Sequence, residues 1–218
     1  VSLSRAQTDT ETDTEPQDWQ ASILLGFNFT DGNTDTSLLN FGAKAAHEKG
    51  NDIWRFEADH SVGEEDDETN IDSTDALAEY KHLLNDRLYL GLGSTFRRDE
   101  IADVKYRLSV NPAAGYFLVK SDSTQFNLEI GPSYIFEEVG GKSDDYFAPR
   151  IKQRLSYQLS ETAKLFEEMA ITFDINDSDN YLIEASAGVE VALVSKLSLV
   201  LSVQDIYDNQ PADGLEKN

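Results

Sequence analysis

The chain has 218 residues, a formal net charge of −23 at pH 7 and no cysteine. Because phosphate binding needs a basic protein face, this charge disfavours nucleic acid as a partner, and it disfavours adsorption onto anionic lipid surfaces. The sequence has no run of about eighteen consecutive apolar residues, which excludes a transmembrane helix. The length fits one large β domain, and the absence of cysteine fits an exported protein.

Residues 1–18 differ from the rest of the chain. They are acidic and rich in threonine, and they contain no aromatic residue and no hydrophobic period. We therefore expect them to be disordered. The small residues Ser4 and Ala6 also suit the tail of a secretory signal peptide. The remainder, residues 19–218, is predicted to form one β-barrel domain.

From Trp19 onward, apolar residues recur at every second position, which is the period of a β-strand with one oily and one polar face. Turn-forming pairs such as Asp31-Gly32 and Asn85-Asp86 separate these alternating runs. Eleven such runs are visible, and in chain order their oily faces begin at Trp19, Leu39, Trp54, Thr74, Leu88, Tyr106, Phe126, Phe147, Met169, Tyr181 and Leu197.

The run at residues 104–119 shows the pattern most clearly. Tyr106 and Tyr116 bracket its oily face, and Lys105 and Arg107 lie on its polar face. Ten residues at about 3.3 Å each, tilted by about 40°, span roughly 25 Å, which is the height of the lipid-facing band of an outer-membrane barrel. The pattern therefore predicts an all-β, antiparallel up-and-down transmembrane β-barrel. Because an even strand number is typical of such barrels, we expect about twelve strands, of which eleven are visible.

The predicted connections alternate in length. Those at residues 48–51, 85–86, 121–124, 160–163 and 195–196 are short, whereas those at 63–70, 97–103, 139–145 and from 208 onward are longer. Outer-membrane barrels have short periplasmic turns and longer external loops, so this asymmetry predicts that the first strand starts on the periplasmic side.

Three prolines fall on the oily faces of three consecutive predicted strands: Pro112, Pro132 and Pro149. Proline cannot donate a hydrogen bond to a ladder, so we expect bulges or widened strand pairs at these positions.

If the oily faces meet lipid, the polar faces line the lumen. Both signs of charge occur there, so the side chains can pair into a salt-bridged plug or can leave a narrow polar pore with a transverse field. The predicted lumen-lining residues are Lys44, Arg55, Glu57, Asp59, Glu79, Lys81, Lys105, Arg107, Glu129, Arg150, Lys152, Arg154, Glu168, Glu184 and Glu190. The predicted lipid-facing aromatic girdle consists of Trp19, Trp54, Tyr106, Tyr116, Tyr134 and Tyr181.

Short motifs carry a family resemblance. WQASILLG at residues 19–26, followed by DGNTDT at 31–36, resembles the start of a bacterial outer-membrane family of unknown function that includes the salt-induced outer-membrane protein. Similarity continues through AEYKH at 78–82, RLYL at 87–90 and GY at 115–116, and it covers residues 19–218. The resemblance implies a barrel of about twelve strands in the bacterial outer membrane, with no established substrate or catalytic residue. The missing final strand departs from that pattern.

The acidic stretch Glu64, Glu65, Asp66 and Asp67 offers hard oxygen ligands. We consider weak divalent-cation binding there, with ions that could bridge to lipopolysaccharide phosphates, beside the alternative of a solvated acidic rim. No EF-hand spacing is present, and no cofactor is predicted.

Catalysis is not expected. Some outer-membrane barrels are phospholipases with His and Ser on one face of a strand, but here His60 and Ser61 are adjacent and point to opposite faces. A base and a nucleophile therefore cannot meet, and we predict that the protein is not an enzyme.

Two functional hypotheses follow from the pattern. The first is an outer-membrane barrel that acts as a narrow polar channel or as a structural envelope protein, in contact with membrane lipid, with lipopolysaccharide and with a possible protein partner at the external loops. The alternative is a soluble, lipocalin-like ligand-binding barrel, whose oily faces would point inward. The direction in which the oily faces point distinguishes the two.

Overall fold

The computed structural model describes residues 19–30, 36–66, 68–175, 177, 179–194 and 197–210. These residues form eleven β-strands: β1 (Gln20–Thr30), β2 (Thr36–Lys49), β3 (Asp52–Glu65), β4 (Glu68–Leu83), β5 (Leu88–Asp99), β6 (Val104–Lys120), β7 (Thr124–Val139), β8 (Lys142–Gln158), β9 (Ala163–Phe173), β10 (Tyr181–Val194) and β11 (Leu197–Asp208). Each strand pairs antiparallel with the next in one sheet. The all-β, up-and-down fold is therefore confirmed.

Some predictions fall outside the described residues. These are the disordered segment 1–18, the turns at 31–34 and 195–196, and the chain beyond residue 210. The expected twelfth strand is not among the strands that the structure describes. No described helix is long and apolar enough to cross a membrane.

The sheet curls around an interior. Arg55 of β3 binds Glu168 of β9 at 3.1 Å, and Arg107 of β6 binds Asp208 of β11 at 2.8 Å, so side chains meet across the enclosed space. β1 and β11 approach each other and run in the same direction, and their described residues share no ladder. The result is a barrel-shaped shell with a seam between its first and last strands.

The two faces of the sheet are inverted relative to a water-soluble protein. Large apolar side chains point away from the interior, as shown by exposed fractions of 63% for Ile130 and 77% for Leu201. Charged and polar side chains point inward, where Lys152 is 2% exposed and Ser133 is 1% exposed. Water-soluble proteins bury apolar residues and almost never bury lysine unless it is paired. A lipocalin-like barrel needs the opposite arrangement of faces.

The antiparallel order places the connections at two ends of the barrel. Those after β2, β4, β6, β8 and β10 lie at one end, which we call the turn end. Those after β1, β3, β5, β7 and β9 lie at the other end, which we call the acidic end because the hairpin tips there carry Glu64, Glu65, Asp144 and Asp145.

The predicted difference in loop length is wrong for two connections at the acidic end. Most of the predicted loop 63–70 is strand, since β3 runs to Glu65 and β4 begins at Glu68. The predicted loop 139–145 is also strand apart from Gly140 and Gly141, whose φ values of 58° and 70° suit a two-residue hairpin turn. Both faces of these segments are polar, so the ladder continues where the hydrophobic period ends. Loop length therefore does not distinguish the two ends.

The prolines disturb one strand pair. Between β6 and β7, pairing stops after Val110↔Tyr134 and resumes at Ala114↔Ile130 in the same register. Pairing is continuous at Leu92↔Pro112 and at Pro132↔Pro149. The pairing is thus interrupted where Pro112 and Pro132 face each other, whereas the other two strand pairs keep their ladders.

Replacing Gly131 with alanine is expected to lower the free energy of unfolding by at least about 1–3 kcal/mol, because it overpacks this site. A Cβ atom at Gly131 would lie 2.0 Å from the carbonyl oxygen of Pro112 and 2.8 Å from Cα of Ala113, and backbone atoms cannot rotate away. Gly93→Ala is a matched control, since its Cβ would lie 3.7 Å from the nearest atom, Cβ of Asn111. Urea unfolding in detergent measures both variants, and equal midpoints would contradict the close approach at Gly131.

Candidate functional site

The interior contains a cavity of about 1700 Å³, lined by residues from all eleven strands. Its lining reaches Glu48 and Thr162 near the turn end, and Arg107 and Ile206 near the acidic end. The cavity therefore extends along most of the length of the barrel. We treat the charged side chains in and around it as the candidate functional site.

A cluster of five charged residues, which we call the central belt, bridges opposite walls of the barrel: Arg55, Glu79, Lys152, Arg154 and Glu168. The Nζ atom of Lys152 lies 2.5 Å from Glu79 and 2.9 Å from Glu168. Arg55 lies 3.4 Å from Glu79 and 3.1 Å from Glu168, while Arg154 lies 3.7 Å and 3.6 Å from the same two carboxylates. Each carboxylate is thus shared by three cations. The belt ties β3 and β4 to β8 and β9 and fills that side of the interior.

A second buried group centres on Tyr89, which is 0% exposed. Its hydroxyl donates a hydrogen bond to Glu129 at 2.8 Å and accepts one from Asn127 at 2.5 Å. Lys81 binds Glu129 at 2.6 Å and also lies 5.0 Å from the centre of the Tyr89 ring. The tyrosine ring covers Gly115, where a Cβ atom would lie 2.1 Å from Cζ of the ring. Glycine at position 115 therefore makes room for the ring that orders Glu129.

Ion pairs also occur nearer the acidic end. Arg107 binds Glu137 and Asp208, and Arg97 lies 3.1 Å from Asp75 and 2.5 Å from Asp99. The contact between Arg107 and Asp208 joins β6 to β11 across the interior. The ion pairs of the interior thus lie at different heights along the barrel. The central belt lies nearer the turn end, and the pairs of Arg97 and Arg107 lie nearer the acidic end.

Most of the predicted lumen residues lie where the alternation placed them. The cavity is lined by Lys44, Arg55, Glu57, Asp59, Glu79, Lys81, Arg107, Arg150, Arg154, Glu168, Glu184 and Glu190. Lys152 and Glu129 are buried inside the belt and the Tyr89 group respectively. The sequence analysis did not identify Tyr89, Asn127 or Asp208 as interior site residues. An aromatic residue on the polar face of a strand, opposite a glycine of the next strand, would have indicated Tyr89.

Lys105 was predicted to line the lumen, and this prediction is wrong. The register of β6 against β7 shifts between Val104 and Tyr106, which leaves Lys105 in a bulge. Its side chain is 69% exposed and binds Glu138 at 2.9 Å. A bulge changes the face to which the extra residue points, and simple alternation does not detect it.

The predicted girdle residues have two kinds of surroundings. Trp19, Trp54, Tyr116 and Tyr134 are exposed, with 52%, 38%, 43% and 38% of their surfaces accessible, whereas Tyr106 and Tyr181 are half-buried. Near the turn end, Trp19 stacks on His47 with centroids 5.0 Å apart, and Trp54 lies 4.3 Å from Tyr80. An aromatic cluster therefore covers the outer face of β2 to β4 at this end.

The predicted cation ligands do not converge. Glu64 and Glu65 are consecutive strand residues, whose side chains point to opposite faces, and Glu65 accepts a hydrogen bond from Asn70. Asp67 lies outside the described residues. Within the part of the chain that the structure describes, no group of three His, Cys, Asp or Glu residues could hold a metal ion.

His60 and Ser61 also lie apart. His60 is exposed beside Thr74, with its Nδ1 atom 2.9 Å from the threonine hydroxyl, while Ser61 donates a hydrogen bond to Asn40 at 2.7 Å. The two side chains interact with different partners, as expected for adjacent strand residues.

A comparison with protein families shows to which family the chain belongs. The model of the family described as "Protein of unknown function, DUF481" matches residues 23–218. The chain belongs to this family. The predicted membership of a family of unknown function is thus confirmed, while the link to the salt-induced outer-membrane protein is not part of the match.

Comparisons with curated proteins and with solved structures give less specific information. No curated protein matches the chain. Among solved structures, the translocator domain of the autotransporter NalP from Neisseria meningitidis is similar, with a TM-score of 0.49 and 14% sequence identity. The similarity covers 88% of this chain and 82% of the NalP chain.

Proposed function

We propose that this protein is an outer-membrane β-barrel that conducts small hydrophilic solutes through a narrow passage beside the central belt. The observation that carries the proposal is the inverted distribution of side chains, with a continuous apolar outer surface around a charged, hollow interior. In a bilayer, this arrangement places apolar side chains against lipid and keeps polar side chains out of it, so it avoids the free-energy cost of burying polar groups in hydrocarbon.

The position of the belt supports a passage that is off-centre. The belt joins β3 and β4 to β8 and β9, whereas the cavity is also lined by residues of β10 and β11, including Glu184, Ser186, Ser202 and Gln204. These side chains are shorter or less completely paired than those of the belt. About twelve strands leave only a modest lumen once long side chains fill part of it, so the expected solutes are small.

A second candidate function is a structural envelope protein with a sealed lumen. It is favoured by the burial of Lys152, which is 2% exposed while it bridges Glu79 and Glu168. Under both candidates, the outer surface contacts membrane lipid, and the hairpins of the acidic end meet lipopolysaccharide or a protein partner.

Electrophoresis in SDS with and without boiling, followed by planar-bilayer recording, tests the proposal. We expect the folded protein extracted from membranes to change mobility on boiling, because the hydrogen-bonded strands of a barrel resist SDS, and we expect small, discrete current steps. A heat-modifiable protein without conductance would replace the channel by the structural candidate. A protein that stays soluble without detergent and shows no mobility change would contradict both membrane functions.

A further inference from the structure

Arg150 differs from the other cations of the interior. In the described residues, each of the other interior cations has a carboxylate within 4 Å: Lys44, Arg55, Lys81, Arg97, Arg107, Lys152, Arg154 and Lys164. Arg150 lines the same cavity, and no described residue forms an ion pair or a hydrogen bond with its guanidinium. Because a guanidinium binds a carboxylate through two parallel hydrogen bonds, this unpaired group can hold an anionic ligand.

The surroundings of Arg150 leave it accessible. It pairs in the ladder with Gly131 of β7, which has no side chain, and with Thr172 of β9. It also borders a small recess lined by Gly91, Gly93, Thr95 and Asn111. Neighbouring positions therefore offer a hydroxyl and an amide. A small polar ligand fits this chemistry.

Among the cavity carboxylates that form no ion pair with a described residue are Asp59 and Glu184. The position of Asp59 relative to Arg150 follows from the belt. Arg55 and Arg154 share the carboxylates of Glu79 and Glu168, so they lie at one level. Asp59 lies two inward positions from Arg55 toward the acidic end, and Arg150 lies two inward positions from Arg154 in the same direction. The two side chains thus lie at similar heights on opposite walls.

We propose that Arg150 and Asp59 bind a small zwitterionic solute within the passage, with its carboxylate on Arg150 and its ammonium group toward Asp59. Asp59 and Glu184 repel a simple anion, and Arg150 repels a simple cation, whereas a zwitterion complements both charges. The guanidinium provides two parallel donors that suit a carboxylate. This inference rests on the proposed channel and specifies its substrate class.

Single-channel recording of the full chain in planar bilayers tests the site, with glycine, acetate and ethylammonium as probes. We expect glycine to reduce the current at a lower concentration than either simple ion. Arg150→Gln and Asp59→Asn should each raise the half-blocking concentration of glycine by about tenfold, the loss expected for a charged hydrogen bond. Lys164→Gln is the matched control, since Lys164 lines the same cavity and already binds Glu190 at 3.5 Å, and it should leave the block unchanged.

A second measurement does not depend on conductance. Phenylglyoxal modifies accessible arginines, and peptide mass spectrometry reports the extent of modification at Arg150. Glycine should protect Arg150 in the wild-type protein and lose this effect in Asp59→Asn. Protection without any current would retain the site and reject the channel. Equal effects of acetate and glycine in both assays, or an open channel that none of the probes blocks, would overturn the zwitterion site.

Discussion

Replacing Lys152 with methionine is expected to lower the free energy of unfolding by about 3–5 kcal/mol, because it breaks the buried ion pair with Glu79 and removes the cation closest to Glu168. Lys152 is 2% exposed and lies within 2.9 Å of both Glu79 and Glu168. Methionine keeps most of the side-chain volume, so the change removes charge rather than packing. The remaining cations, Arg55 and Arg154, lie farther from these carboxylates, at 3.1–3.7 Å.

Urea unfolding in lipid vesicles, followed by tryptophan fluorescence, measures this loss. Lys164→Met is the control. Lys164 lies 3.5 Å from Glu190, and the two side chains are 43% and 35% exposed. An exposed ion pair contributes only about 0–1 kcal/mol to stability. Equal unfolding midpoints for Lys152→Met and Lys164→Met would show that the belt does not hold the two walls together.

Replacing Ile130 with arginine is expected to reduce the stability of the membrane-inserted protein by about 2–4 kcal/mol, the cost of a cation at the middle of the bilayer. Ile130 is 63% exposed on β7, where it pairs with Ala114 and Ile151, so its side chain touches lipid if the proposed orientation is correct. In water the same substitution would replace an exposed apolar group by a charged one at little cost. The size of the effect therefore reports the medium around the outer face.

Leu84→Arg is the matched control for this substitution. Leu84 is 52% exposed, but it lies in the connection between β4 and β5, beyond the end of the strands. Both variants are refolded into vesicles, and their unfolding free energies and heat-modifiable fractions are compared. Similar stabilities for Ile130→Arg and Leu84→Arg would place the outer face in water and would remove the basis for a membrane function.

The sequence predicted the strands well because each side chain of a strand has only two faces to choose from. Where outward-facing residues are apolar, as in Leu128, Ile130 and Tyr134, alternation identifies the strand and the orientation of both faces. The same signal disappears at the acidic end, where Asp144 and Asp145 belong to a strand that is polar on both faces. The face of Lys105 was predicted wrongly for a related reason. A bulge shifts the strand register by one residue, and nothing in the amino-acid composition indicates it.

The site was predicted less completely than the fold. Alternation assigned Glu79, Lys152 and Glu168 to the interior, but not to one another, because contacts between β4, β8 and β9 depend on how tightly the sheet curls. The sequence also could not predict that Arg150 has no ion-pair partner, because this depends on which carboxylates the neighbouring cations bind in the folded structure. Curvature and pairing are properties of the whole closed sheet, whereas a periodic pattern describes one strand at a time.

The hairpin of β7 and β8 projects from the acidic end, which the proposed function places on the cell surface. Its ladder continues to the pair Val139↔Lys142, so the polar residues 142–146 carry paired backbone about 13 Å beyond the apolar band. Only Gly140 and Gly141 remain at the tip, whereas proteases prefer longer exposed loop tips. We therefore expect the hairpin to resist proteolytic digestion, and we expect an antibody raised against it to recognise a fixed surface rather than a flexible peptide.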